Sequence, residues 1–201
     1  MRIVVTNVTC ITQPKSTPSG FVFSTVGTSD GTTRRGKHLA VSRTNRAIRT
    51  GKGPARPRSD MPTVRDLQAM AGEEPITMLT AYDAVTASIV DDTGVDVILV
   101  GDSMGNAVLG HDDTLPVTLD EVASRVGAVA RGADDALVVA DMPFLSFGAD
   151  ESESIQNCGR MLKEEGANAV KLESGPHTVK LTERLTDLGI PTMAHLGLTP
   201  Q

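Results

Sequence analysis

Three apolar runs that each end in a carboxylate constrain this chain more than any other feature. They are Val97 to Gly101 leading into Asp102, Leu137 to Ala140 leading into Asp141, and Ala169 to Leu172 leading into Glu173. Short runs of β-branched and aliphatic residues read as strands buried on both faces, and helical segments between them imply βαβ crossovers in a parallel sheet. Parallel strands all point the same way, so their terminal acids are brought to one mouth of the sheet, where α/β folds place their ligand sites. Carboxylates gathered there repel one another unless a cation sits among them. Oxygen donors without Cys or His suit a hard ion, so Asp102, Asp141 and Glu173 point to Mg2+ rather than Zn2+. The competing reading is that each acid is only the N-cap or first-turn residue of the next helix.

The rest of the chain supplies the alternating elements that this reading needs. Thr63 is placed to cap a short helix carrying Val64, Leu67 and Met70 that ends near Gly72. A first strand is expected over Pro75–Asp83, a helix over Ala84–Thr93 closed by Gly94, and a second strand over Asp96–Gly101. Ser103 to Thr118 reads as a long loop of the kind that forms lids. An amphipathic helix follows at Leu119–Gly132 with Val122, Val126 and Val129 on one side, then a strand at Leu137–Ala140 and a helix at Glu151–Glu165. A strand at Ala169–Leu172, a helix at Thr178–Leu188 and a strand at Pro191–Gly197 complete the pattern. The predicted class is therefore α/β, a partial (β/α)8 TIM-type barrel with about five of the eight strands, since the whole barrel takes about 250 residues.

Charge divides the chain into two unlike parts. Of the 201 residues with net charge −6, residues 1–60 hold three lysines and eight arginines against two aspartates, a charge of +9 that leaves −15 for the remainder. The first part is rich in Ser, Thr, Arg and Gly without a sustained period, and is expected to be a disordered basic extension. It reads as an early start codon ahead of Met61, as an organelle transit segment, or as a basic arm for nucleic acid or membrane. The acidic part, 61–201, is expected to avoid nucleic acid and to stay dispersed in a salt-rich cytoplasm. Cys10 and Cys158 form no CxxC pair, consistent with a reducing compartment. No apolar run approaches the roughly 20 residues of a spanning helix.

Six motifs carry a family resemblance: AYD at 81–83, VGDSMG at 100–105, GHDDTLPVT at 110–118, ADMPF at 140–144, VKLE at 170–173 and HLGLTPQ at 195–201. In this order they resemble the ketopantoate hydroxymethyltransferases, from about Met61 to Gln201. The resemblance implies a (β/α)8 barrel, usually a homodecamer, using Mg2+ and 5,10-methylenetetrahydrofolate to convert 3-methyl-2-oxobutanoate into 2-dehydropantoate in pantothenate and coenzyme A synthesis. It implies metal-site roles for Asp102, Asp141 and Glu173, the last through water, and substrate contacts by Asp102, Ser103, Asp141 and Lys171.

Lys171 brings positive charge to the substrate carboxylate or a developing oxyanion, or else it is a strand-end lysine reaching for solvent. His195 reads either as a partner of substrate or metal-bound water, or as an ordinary strand-end histidine. His111, Asp112 and Asp113 belong to a lid or to a solvated loop tip. Tyr82 and Asp83 read as support for the mouth, and Met104 and Met142 as packing beneath it. The family's general base, a glutamate on a later strand, falls beyond Gln201, so the chain is expected to be inactive and poorly folded by itself. Two other classes fit less of the sequence: a Mg2+-dependent relative of phosphoenolpyruvate mutase and isocitrate lyase, and a non-enzymatic gene remnant or basic-armed binding protein.

Overall fold

The computed structural model describes residues 62–196 and the two-residue strand β1, Ile11–Thr12. The helix α1, Val64–Met70, begins at Thr63, whose hydroxyl accepts from the Asp66 amide while the Asp66 carboxylate accepts from the Thr63 amide. That reciprocal box satisfies two amides that the first helical turn leaves without partners. Next come β2, Met78–Thr80, then α2, Ala84–Asp91, and β3, Val97–Val100. A single π-helical turn, Gly105–Leu109, occupies part of the stretch expected to be loop. Its apolar residues are too few to reveal a helical period in sequence.

The helix α3, Leu119–Gly132, has the predicted bounds and opens with a second capping box between Thr118 and Glu121. After β4, Leu137–Asp141, come α4, Glu151–Lys163, β5, Ala169–Glu173, α5, Val179–Asp187, and β6, Thr192–His195. Gly94 adopts a φ of 76° just beyond α2, the left-handed stop expected of it.

The strands β2 to β6 lie side by side in chain order, every neighbouring pair parallel. A doubly wound sheet reverses its order at a switch point, whereas consecutive order is how a (β/α)8 barrel is laid out. The α/β class and its five parallel strands follow the reading of the sequence. Of residues 1–60 the structure describes only Ile11 and Thr12, which pair antiparallel with Met193 and Thr192 of β6. The outer edge of a sheet offers unpaired N–H and C=O groups to any extended segment, so even a dipeptide can dock there. The remaining residues of the basic extension, and the predicted end of the last strand at Gly197, lie outside the described residues.

Alternation along the strands assigns the two faces of the sheet. Ile98, Val100, Val138, Ala140, Val170 and Leu172 pack with the helices in one buried cluster. Val97, Leu137, Val139, Ala169 and Met193 form a second cluster with Val64 and Leu67 of α1, which covers the opposite face near its lower end. Continuing the odd-numbered series upward along that second face leads through Asp141, Lys171, Glu173 and His195. The helices touch closely on the other side: a methyl on Gly132 of α3 would lie 2.2 Å from the Ala84 carbonyl oxygen of α2.

Candidate functional site

The predicted site residues meet at the carboxyl ends of β3 to β6. Parallel register sets Asp141 beside Lys171, and Glu173 beside His195. Lys171 and Glu173 are two positions apart on one strand, so both rise from the same face. Lys171 Nζ donates to Asp141 Oδ2 at 2.6 Å and to Glu173 Oε1 at 3.2 Å. His195 Nδ1 lies 2.7 Å from that same Glu173 Oε1. Asp141, Lys171, Glu173 and His195 thus form one unbroken polar chain across three strands.

Burial makes this arrangement costly and chemically pointed. Asp102, Asp141 and Glu173 are 3%, 6% and 8% exposed, and Asp141 Oδ1 and Glu173 Oε2 are both buried without a hydrogen-bond partner. A buried polar atom left bare costs free energy, so two together mark a place prepared for something else. Burial pushes the Asp141 carboxyl up to about 6; Lys171 opposes that shift, and the charges of Asp102 and Glu173 add to it. Burial also works against the Lys171 charge, but Asp141 and Glu173 outweigh it and hold the ammonium above its usual range. The same contact therefore acts unequally on its partners, and the geometry favours a firmly protonated Lys171 because its nitrogen reaches two carboxylates.

Neither Asp141 nor Glu173 serves as the cap of the helix that follows it. The caps of α4 and α5 are Asp150 and Thr178, and the π-turn begins at Met104 with no side-chain cap. Asp83, by contrast, is a true cap, accepting from the Thr86 amide at 2.8 Å. Its reading as structural support stands. Met104 and Met142 are fully buried beneath the site, as expected of them. His111, Asp112 and Asp113 are exposed.

The donor set, with Glu173 expected to act only through water, suits a divalent cation. Among the described residues no group of three or more His, Cys, Asp or Glu side chains converges to hold a metal. Lys171 engages one oxygen of Asp141 and one of Glu173, and His195 engages that same Glu173 oxygen, so each carboxylate keeps its other oxygen for a ligand or a bound water. Mg2+ retains several waters and needs only one or two carboxylates besides its substrate, so the bare Asp141 Oδ1 beside the Asp102 charge fits such an ion.

Ser103 extends the site beyond β3. Its hydroxyl oxygen lies 2.9 Å from the Tyr82 phenol oxygen. Gly101 keeps the floor beside it clear, since a methyl there would sit 3.0 Å from Ser103 Oγ and 3.5 Å from Asp141 Oδ2. Sequence reasoning gave Tyr82 no partner, because its contact with Ser103 joins residues 21 positions apart. It likewise gave no partner to His195, because the pairing with Glu173 depends on register between strands that are 22 residues apart.

The sequence model of the family described as ketopantoate hydroxymethyltransferase matches residues 61–201. A 3-methyl-2-oxobutanoate hydroxymethyltransferase of Haloarcula marismortui is 96% identical over 141 residues, 70% of this chain and 52% of the relative. The protein of that name from Halobacterium salinarum is 71% identical over 145 residues, covering 70% and 53%. The one from Pseudothermotoga lettingae is 55% identical over 138 residues, covering 69% and 52%. The chain spans about half the length of the curated relatives it matches. Through residues 61–201, it belongs to the ketopantoate hydroxymethyltransferase family.

Proposed function

We propose that this chain supplies the Mg2+ and 2-oxo acid half-site of an enzyme that transfers a hydroxymethyl group from 5,10-methylenetetrahydrofolate to 3-methyl-2-oxobutanoate, giving 2-dehydropantoate for pantothenate and coenzyme A synthesis. The observation that carries the reading is the Lys171 ammonium bridging Asp141 and Glu173 while one buried oxygen of each carboxylate stays bare. The family membership and the names of the relatives support the substrate and the hydroxymethyl transfer.

Asp102 and Asp141 would hold the cation. When bound, Mg2+ supplies Lewis-acid polarisation of the keto oxygen, which makes the adjacent C–H easier to lose. Asp141 stays charged for that task because Lys171 is held against it. Lys171 also places positive charge where the substrate carboxylate or a growing oxyanion needs it, inside a site where burial strengthens such interactions. Glu173 restrains Lys171 from the other side and is itself restrained by His195. Ser103 offers its hydroxyl to a ligand oxygen. Proton abstraction is assigned to no residue of 61–201.

The cytoplasm is the proposed compartment; no helix among the described residues is long and apolar enough to cross a membrane. A homo-oligomer, a decamer as in the family, is proposed for the whole enzyme, and the exposed apolar pair Val85 and Ile89, one turn apart on α2, supports a protein contact there. The −15 charge of residues 61–201 argues against nucleic acid as a partner of that part.

Calorimetric titration of the chain with 3-methyl-2-oxobutanoate, with Mg2+ and then with EDTA, tests the reading. Binding that requires Mg2+ is the expected result. No binding in either condition, or equal binding in both, would sink it.

A further inference from the structure

We propose that Tyr82 is a positioning residue: its phenol donates to Ser103 Oγ and aims the Ser103 proton across Gly101 at a carboxylate oxygen of the bound 2-oxo acid. The inference deepens the half-site reading above and rests on it.

Hydrogen-bond inventory leads to the assignment. A hydroxyl has one proton and two lone pairs, and its rotor turns to suit its surroundings. The two oxygens are 2.9 Å apart, so one of them donates to the other. If Ser103 donated, it would have no proton left for an anionic ligand. A phenol is the more acidic hydroxyl and the better donor, and with Tyr82 donating, the Ser103 proton remains available on the opposite side of the oxygen. The Tyr82 ring is held for this purpose, packed against the buried cluster beneath the helices. The Ser103 backbone is held too, because its carbonyl accepts from the Ala107 amide at 3.0 Å as the π-turn begins.

The direction in which that proton points follows from Gly101. A methyl at Gly101 would lie 3.0 Å from Ser103 Oγ and 3.5 Å from Asp141 Oδ2, so the strip between the serine and the aspartate is open only because residue 101 has no side chain. A ligand carboxylate lying on that strip meets the Ser103 proton at one end and the Lys171 ammonium, 2.6 Å from Asp141 Oδ2, at the other. Hydrogen bonds to a carboxylate are among the stronger ones and demand good alignment. Releasing the Ser103 rotor is therefore expected to weaken binding about 5- to 15-fold, about 1 to 1.6 kcal/mol at 1.4 kcal/mol per tenfold.

The test is a double-variant cycle on the 201-residue chain, titrating 3-methyl-2-oxobutanoate in Mg2+ by calorimetry. Tyr82→Phe removes only the phenol oxygen and retains the ring. It is expected to bind about 5- to 15-fold more weakly with an unchanged melting temperature. Ser103→Ala is expected to lose at least as much, and the double variant no more than Ser103→Ala alone. Tyr82 is the single tyrosine in a chain without tryptophan, so its fluorescence gives a second readout. Ligand should change that emission in the wild-type chain and leave it unchanged in Ser103→Ala, which tests the coupling even if Tyr82→Phe folds poorly.

Wild-type affinity in Tyr82→Phe would overturn the proposal, as would a Tyr82→Phe loss that persists in full beside Ser103→Ala, since the phenol would then act without the serine. A wild-type chain that binds no 2-oxo acid in Mg2+ is a different failure, visible before any variant is made, and it removes the half-site reading together with this one.

Discussion

The two ends of the parallel sheet bury the same kind of side chain and treat it in opposite ways. At the amino ends of the strands, the Asp91 carboxylate accepts from the amides of Asp134 at 2.9 Å, Asp135 at 3.0 Å and Ala136 at 2.7 Å. Nearby, Asp96 accepts from the Thr77 amide at 2.9 Å and hydroxyl at 2.7 Å, and Asn168 Oδ1 accepts from the Val138 amide at 2.8 Å. These oxygens are filled by backbone donors that would otherwise be orphaned, and they fasten one βα unit to the next. At the carboxyl ends, Asp141 and Glu173 are as deeply buried, yet each keeps an oxygen bare. Stability of the isolated fold favours the first arrangement, and the second calls for a bound water or a ligand to fill it. Among these buried acids, a bare oxygen, more than the mere presence of a carboxylate, separates the site from its supports.

Substitutions at each end should break this contrast in different ways, the largest at Lys171. Lys171→Met leaves Asp141 and Glu173 buried without their cation, and is expected to cost about 3 to 5 kcal/mol in urea unfolding together with all 2-oxo acid binding. A loss below about 1 kcal/mol would mean that the two carboxylates do not depend on it.

Asp91→Ala orphans three amides and is expected to cost about 3 kcal/mol while leaving ligand affinity in the folded fraction unchanged. If affinity fell as steeply as stability, the two ends would not be separable in this way.

The pH dependence sharpens the comparison. The Asp141 carboxyl is pushed up to about 6 in the folded chain, against about 3.9 for an unfolded aspartate, so the folded state holds that proton more tightly. Stability from this group is full below about pH 4 and is lost as pH rises through about 6, by about 3 kcal/mol at 1.36 kcal/mol per unit. Asp141→Asn should abolish that decline, match the wild type near pH 4, exceed it near pH 7 and bind no 2-oxo acid in Mg2+. Unfolding curves of both chains across this range decide the matter; parallel curves would contradict it. Lys171 has the same sign at the other end of the scale, because Asp141 and Glu173 overcome its burial. Its contribution is kept below about pH 10 and lost above.

The smallest effect is expected at His195. His195→Phe removes the Nδ1 contact to Glu173 and should cost about 1 kcal/mol in urea unfolding. The 2-oxo acid should still bind, more weakly, since Glu173 retains Lys171. Complete loss of binding would make His195 a direct ligand contact.

Much of the architecture was legible because its signals are local. The helix α3 was read to its observed ends, since Thr118 and Glu121 form a capping box and Val122, Val126 and Val129 make a stripe, all within a few residues of one another. Propensity predicts a first strand over Pro75–Asp83, longer than the observed Met78–Thr80, because it continues past the point where a neighbour is available to pair. Asp83 illustrates the limit for the site. Like Asp102, Asp141 and Glu173, it follows an apolar run, and only its hydrogen bond to the Thr86 amide marks it as a cap.

The amino-acid sequence alone determined the alternating strands and helices, the acids at the strand ends and the glycine without a side chain at 101, because each is written in periods of two to four residues. Only the tertiary structure decided that Lys171 lies between Asp141 and Glu173, that His195 backs Glu173 and that Tyr82 meets Ser103. Those pairings join residues 21 to 30 positions apart in all cases but Lys171 with Glu173. Such distances are set by how the intervening helices pack against the sheet, and with them the register of the strands and the burial that leaves some oxygens filled and others bare.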